Sequence, residues 1–325
     1  MHIPDGLMDP RVALVGWAEF IVVFSLAFLL TRKNIGEKDL PRIAVLSAGI
    51  FVAQMLNFPV GGGTTGHLVG GALFAILVGP LIAMVGMTVI LVIQALMFGD
   101  GGLTSLGLNA VNMAIIAPLA GWGVFTLVRP ILRKEERDGA LDPGTGLAVA
   151  LGAWASVFLA SAACAAELVV SHAISGADYG ISATIAVPSM LGYHAVIGVG
   201  EAIITLGVVS YVWTTSLGAF SRKPRSETAS DLLSRLAKSR TTQATLAMIV
   251  VFALALPLYF LYSAEGADGL EKTMEEGGVG EADPAVASPF GYGEDYFAAL
   301  FAGILGFVAV ALVSLGLMGI VRTSR

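Results

Sequence analysis

Apolar residues in this chain fall into long unbroken runs, not into the strict alternation of a half-buried strand or the one-sided stripe of a surface helix. Such runs cover about residues 11 to 31, 42 to 57, 106 to 128, 145 to 172, 188 to 217, 243 to 262 and 296 to 321, each close to or above the ~20 residues that cross a bilayer as a helix. An eighth run, from 68 to 98, has 31 residues. As one helix it would reach about 46 Å at 1.5 Å per residue, too far for a hydrocarbon core of about 30 Å. Gly79-Pro80 lies near its middle, and proline breaks a helix because it lacks an N–H and clashes with the preceding turn. The pattern predicts two short helices hinged there, the first beginning near Gly66. The fold class that follows is an all-α polytopic membrane protein of nine spans, seven in a first bundle and two near the C-terminus.

Composition supports that class: 56% of the 325 residues are hydrophobic and 13% charged, where a soluble domain runs at roughly 45 to 50% apolar and about 25% charged. The positions of the bases test the span count, because Lys and Arg collect in cytoplasmic loops. With nine spans and the N-terminus outside, 16 of the 18 Lys and Arg residues fall inside, leaving Arg11 and Lys272. With eight spans at best 13 do. The expected orientation is therefore N-terminus out, C-terminus in. Residues 1 to 10 lack the basic and apolar regions of a signal peptide, so the chain is expected to begin, mature, at Met1. The net charge of -6 implies no nucleic-acid partner. The single cysteine, Cys164, excludes an internal disulfide framework.

The basic, Ser/Thr-rich stretch 221–242 reads as a cytoplasmic linker. It divides the chain into a transmembrane domain 1–220 and a two-helix unit 243–325. Between the last two spans an outer loop, Ser263 to Asp295, holds nine acids and one base. Such a loop could gather divalent cations, but without Asp-x-Asp ligand spacing a solvated acidic loop is the better reading.

Four histidines are candidates for chemistry: His2, His67, His172 and His194. A free amine followed directly by histidine is a chelator. The Met1 α-amine, the deprotonated His2 backbone nitrogen and His2 Nδ1 close a five-membered and a six-membered ring around one metal, in a plane. Planar nitrogen coordination suits Ni(II) or Cu(II). His67, in the glycine-rich segment Gly61 to His67 on the same outer side, could give a fourth nitrogen. The competing reading is a disordered terminal histidine and a histidine capping a helix at the interface. His194 and Glu201 stand i and i+7 on one span, and Glu19 and Glu167 also interrupt apolar runs. Ionisable groups in spans are costly and face a polar interior, although each could equally be a hydrogen-bonded packing group. Gln94, Asn109 and Asn112 raise the same choice, with interhelical hydrogen bonding preferred. No P-loop, H-E-x-x-H or G-x-S-x-G near histidine occurs, so nucleotide hydrolysis, zincin-type proteolysis and serine hydrolysis lack support, and no enzyme is expected.

Met1 to Leu7 (MHIPDGL), Gly63 to Ala72 (GTTGHLVGGA), Gln94 to Gly102 (QALMFGDGG) and His194 to Ala202 (HAVIGVGEA) together resemble the CbiM/NikM family, the substrate-capture components of energy-coupling-factor transporters for cobalt and nickel. The likeness spans roughly residues 1 to 220. The tail resembles the small accessory N component of these systems, with Ala267-Asp268-Gly269-Leu270-Glu271 standing for its P-D-G-L-E signature and Ala267 replacing the proline. The resemblance implies a Ni²⁺ or Co²⁺ substrate held by Met1, His2 and His67, no resident cofactor, and second-shell support from residues such as Asn112, His194 and Glu201. It also implies the plasma membrane of a prokaryote and two partners, a transmembrane coupling subunit and an ATP-binding cassette ATPase. A proton- or sodium-coupled permease using Glu19, Glu167 and Glu201 as a carboxylate relay is the alternative.

Overall fold

A computed structural model of the chain describes residues 1–31, 40–61, 64–133, 141–217, 266–292 and 296–323. The protein is a helical membrane bundle, with six helices long and apolar enough to cross a bilayer among the described residues and a shorter apolar one, Leu40–Gln54. In order they are α1 (Pro10–Thr31), α2 (Leu40–Gln54), an antiparallel hairpin of β1 (Asn57–Gly61) and β2 (Thr64–His67), α3 (Gly71–Val78), α4 (Pro80–Ile93), α5 (Leu106–Asn109), α6 (Ala117–Leu132), α7 (Pro143–Ser175), α8 (Ala183–Leu217), α9 (Gly269–Gly277) and α10 (Tyr296–Thr323). The basic linker and the apolar run at 243 to 262 lie outside the described residues.

The expected break sits at Gly79-Pro80. Gly79 takes φ 90°, ψ 154°, a conformation that only glycine adopts without strain, and Pro80 opens α4, where its missing N–H is not needed. α3 has eight residues, or about 12 Å of helix, well short of a hydrocarbon core of about 30 Å. α3 begins beside His67 and α4 runs back to Asp100, next to His2. The pair thus leaves from and returns to the same end of the bundle.

Helix ends follow their capping residues. Asp142 caps α7 by accepting from Thr145 N at 3.0 Å, Pro143 fills its first position, and Gly176 closes it in the left-handed region with its N–H on the His172 carbonyl. Within the bundle α7 packs between α6 and α8. There Gly152 and Gly121 face each other so closely that a Cβ on Gly152 would stand 2.7 Å from the Gly121 carbonyl oxygen, the close backbone approach that holds membrane helices together. Two π-turns interrupt the regular helices, Gln94–Phe98 after α4 and Ala110–Ile116 between α5 and α6.

Three features depart from the sequence expectation. Within the glycine-rich segment, Thr64–His67 is the second arm of the β1–β2 hairpin. α8 starts at Ala183, five residues before its apolar run, with Pro188 inside it. The acidic outer loop is not simply solvated: it contains α9, and its residues 266–292 lie as a strap across the end of the bundle that carries Met1. α10 then descends along α2, where Gly306 leaves room for the Phe51 ring.

Candidate metal-binding site

The first nine residues are threaded into the bundle instead of trailing into solvent. Met1, Ile3, Leu7 and Met8 are buried. Ile3 is held on both sides: its N–H donates to Asn109 Oδ1 at 2.8 Å, and its carbonyl accepts from Asn109 Nδ2 at 3.1 Å and from Gly102 N at 2.8 Å. Asp5 accepts from Thr104 N at 2.8 Å and Thr104 Oγ1 at 2.6 Å. Further out, the Gly180 N–H donates to the Leu7 carbonyl at 2.8 Å, and Asp9 N donates to Ser171 Oγ at 2.6 Å. Gly102 faces this segment at such short range that a Cβ would collide with the Asp5 backbone nitrogen. The π-turn Gln94–Phe98 ends on Gly99 in the left-handed region and brings Asp100 Oδ1 to 3.4 Å from His2 Nδ1. π-turns recur at functional sites because they re-aim the residues that follow.

From the other side comes His67, the last residue of β2. Its Nδ1 lies 3.1 Å from the Leu68 carbonyl, which fixes the proton there and leaves the Nε2 lone pair free to accept or ligate. That Nε2 is 3.2 Å from the Met1 amine nitrogen. The segment after it is immobilised by two groups. Glu201 accepts from Val69 N at 2.7 Å and Gly70 N at 2.8 Å, and Gln54 Nε2, itself bonded through Oε1 to Gln94 Nε2 at 2.9 Å, donates to the Val69 carbonyl at 2.7 Å. The His2 and His67 rings lie with centroids 5.3 Å apart.

The third contribution is from the strap. Asp268 caps α9 with one oxygen and reaches the site with the other. Oδ1 accepts from Leu270 N at 2.7 Å and Glu271 N at 2.9 Å, and Glu271 Oε2 accepts in return from Asp268 N at 2.7 Å, a complete capping box. Oδ2 stands 2.6 Å from the Met1 amine and 3.7 Å from His67 Nε2. Gly269 is needed because the His194 ring lies against it, 2.7 Å from where a Cβ would be. Thr65 N and Thr65 Oγ1 donate to the Ala267 and Gly266 carbonyls at 3.0 and 2.9 Å.

Electrostatics follow from this burial. Burial alone would lower the pKa of the Met1 amine, but the Asp268 carboxylate raises it above its ordinary value of 8.0. Burial, with the amine and His67 close by, pushes the His2 imidazole down to about 4 against the pull of Asp100. His2 is therefore a neutral donor at physiological pH. Two nitrogens cis to each other around a metal, each at about 2.0 to 2.1 Å, stand about 2.9 Å apart, and the 3.2 Å between the Met1 amine and His67 Nε2 is near that spacing. Among the described residues no three His, Cys, Asp or Glu side chains converge on a metal-holding geometry. The Met1 amine and the His2 backbone nitrogen lie beside the two imidazoles as further nitrogen donors that a metal could use.

Of the residues singled out in the sequence, Met1, His2 and His67 come together. His194 lines a small cavity with Met1, His67 and Asp268, its Nδ1 fixed at 2.8 Å from the Met190 carbonyl, and Glu201 acts one step away through the backbone after His67. Asn112 belongs elsewhere: its Nδ2 donates to Glu167 Oε2 at 2.7 Å, and the asparagine that seats the N-terminus is Asn109. Glu19 is exposed on α1, and His172 lies at the C-terminal turn of α7. Sequence reasoning passed over Asp268, Gln54 and Gly102, which lie around the nitrogen donors and are not among them. For Asp268 the signal was present, in the Asp-x-x-Glu spacing of a capping box.

Residues 2–217 match the profile of the CbiM family, described as the cobalt uptake substrate-specific transmembrane region. A putative metal transport protein of Haloquadratum walsbyi is 41% identical over 212 residues, 65% of this chain and 89% of that one. A putative fused nickel transport protein NikMN of Archaeoglobus fulgidus is 38% identical over 212 residues, 65% of this chain and 65% of its own length. A crystal structure of a transition metal transporter matches with TM-score 0.58 and 35% identity over 70% of this chain and the whole of that one. With the family profile spanning two thirds of the sequence, the chain belongs to the CbiM family of substrate-specific transmembrane proteins of cobalt uptake.

Proposed function

We propose that the protein is the substrate-capture component of an ATP-driven energy-coupling-factor importer for Ni²⁺ or Co²⁺. The ion loses its water to four nitrogens: the Met1 amine, the His2 backbone nitrogen, His2 Nδ1 and His67 Nε2. The amine and His2 Nδ1 stand opposite each other in the plane, and His67 opposite the His2 amide, so that the amine and His67 are neighbours. The observation that carries this reading is the buried amine 3.2 Å from His67 Nε2, with the neutral His2 ring alongside. Relatives named as nickel and cobalt transport proteins support the substrate class. Energy would come from a transmembrane coupling subunit and an ATPase, since the chain has no P-loop. Nine crossings with the N-terminus outside put the site at the outer face, and the two-helix tail 243–325 acts as a fused accessory unit of the N-component type. The permease alternative finds less support, because Glu201 spends both carboxylate oxygens on backbone N–H groups.

The test is metal content of the purified protein after exposure to Ni²⁺ or Co²⁺. His2→Ala and His67→Ala should each abolish stoichiometric metal. One extra residue ahead of Met1 should do nearly the same, because it converts the amine into an amide. Full retention in all three would refute the site.

A further inference from the structure

The strap places a carboxylate where the proposed nitrogen site has no need of one. Asp268 Oδ2 touches the Met1 amine at 2.6 Å and faces His67 Nε2 at 3.7 Å, so a single oxygen stands against two of the four donor nitrogens. It arrives from a segment more than 260 positions away in sequence and is locked there by the capping box of α9, by the Thr65 contacts and by a docked second half. In that half Ala285 N donates to Asp5 Oδ2 at 2.8 Å, Phe290 N to the Met97 carbonyl at 3.0 Å, and Tyr292 OH to Asp100 Oδ2 at 2.8 Å. Between strap and bundle lies a cavity of about 410 Å³, whose lining includes His2, Asp100, Asp268, Glu271, Glu281 and Tyr292. Six water molecules at about 30 Å³ each occupy about 180 Å³, so a hydrated divalent cation fits. The His2 side chain is nine-tenths buried beside this cavity, and its Nε2 has no hydrogen-bond partner among the described residues.

We propose that Asp268 is a hand-off ligand: it takes the incoming hydrated divalent cation from the acid-lined cavity and passes it to the four nitrogens. Between loadings the same oxygen neutralises the buried amine, which would otherwise be an unpaired charge out of water. The inference rests on the nitrogen-site reading and adds a loading step to it. Metal–ligand bonds change and two protons leave: a water on the ion gives way to Asp268 Oδ2, that oxygen in turn gives way to nitrogen, and the Met1 ammonium and the His2 amide each release a proton to water as they become donors. Oxygen is the right donor for the first contact, because a hard carboxylate accepts a hydrated ion readily, whereas nitrogen is the better final donor for Ni²⁺ and Co²⁺.

Two substitutions in the full chain separate hand-off from mere support of the strap. Asp268→Asn keeps a good helix cap and removes the charge; Asp268→Glu keeps the charge and is the poorer cap. Loading is followed by ligand-field absorbance after mixing purified protein with NiCl₂ or CoCl₂, and metal content is read at equilibrium. The expected result is that Asp268→Asn loads at least about tenfold more slowly, the scale on which charge-lined clefts raise ion on-rates, while reaching wild-type metal content. Asp268→Glu should load faster than Asp268→Asn. Loading of Asp268→Asn at the wild-type rate, or loading of Asp268→Glu as slow as or slower than that of Asp268→Asn, overturns the proposal. Loss of equilibrium metal in Asp268→Asn also overturns it, because Asp268 would then be a resident ligand. The His2→Ala protein, run alongside, keeps the two readings apart. If it binds metal normally, the nitrogen site itself fails; if it does not and Asp268→Asn loads normally, only the hand-off fails.

Discussion

At the residue scale the proposed ligand that matters most is one without a side chain, the Met1 amine. Because the Met1 amine is held above its ordinary pKa of 8.0 by Asp268 in spite of burial, it carries a proton throughout the neutral range, and the His2 amide carries its own. His2, lowered to about 4, is already deprotonated there. With the amine and the amide as ligands, as proposed, the metal-free protein binds two protons that the loaded one lacks, and binding is expected to weaken as pH falls. Two protons released per ion correspond to about a hundredfold in affinity per pH unit, at about 1.36 kcal/mol for each proton. Nickel titrations at pH 6, 7 and 8 check this, and a flat profile would exclude ligation by the amine–amide pair. Gly102 gives a second prediction. A methyl group at this position meets the Asp5 backbone nitrogen, so Gly102→Ala should displace the N-terminal segment and lower nickel affinity at least tenfold, a loss of about 1.4 kcal/mol or more, with the helical circular dichroism unchanged.

At the scale of elements, Gly79 is a site of stored conformational constraint without crowding: among the described residues nothing lies within 4 Å of where its Cβ would be. Gly79→Ala should therefore cost only the backbone term, about 1 to 3 kcal/mol, read as a lower melting temperature in detergent with metal stoichiometry kept. This hinge was legible because a Gly-Pro pair inside an over-long apolar run has one physical meaning. Long spans were legible for the same reason, since a bilayer sets their length. The β1–β2 hairpin was not, because Asn57 to His67 shows glycines and a proline but no alternation to mark paired strands. The choice between Asn109 and Asn112 was also closed to sequence reasoning. Three residues apart, they would share a face of a regular α-helix, but the π-turn over Ala110–Ile116 widens the helix between them. That turn leaves Asn109 on Ile3 and swings Asn112 toward Glu167 on α7. Met1 and His2 could be singled out as candidates because their chelate geometry is local chemistry, and His67 because its glycine-rich segment was expected on the same side; the structure brings the three together. Asp268 was hidden by distance: a capping box predicts a helix start but not which distant amine its second oxygen will meet.

For the whole molecule the ordering of charge is the decisive feature. The net -6 conceals a separation, with 16 bases assigned to one side and nine acids in the outer loop. The strap, Met1 and His67 all gather at the end opposite the chain reversal at Gly79, and on the proposed function that end is the capture end. An ion importer needs this polarity, since acids at the capture side raise the local cation concentration and bases at the other side fix the orientation in the membrane. The arrangement can be tested with thiol labelling, because the single native cysteine, Cys164, is fully buried and gives a silent background. Val286 is 62% exposed on the strap, and Arg137 closes the basic stretch Arg129 to Arg137, among the 16 bases expected inside. In intact cells a membrane-impermeant maleimide should label Val286→Cys and spare Arg137→Cys, and permeabilisation should make the second reactive. If Arg137→Cys reacts from outside instead, the orientation is inverted, the metal site faces the cytoplasm, and the protein cannot capture its ion from the exterior.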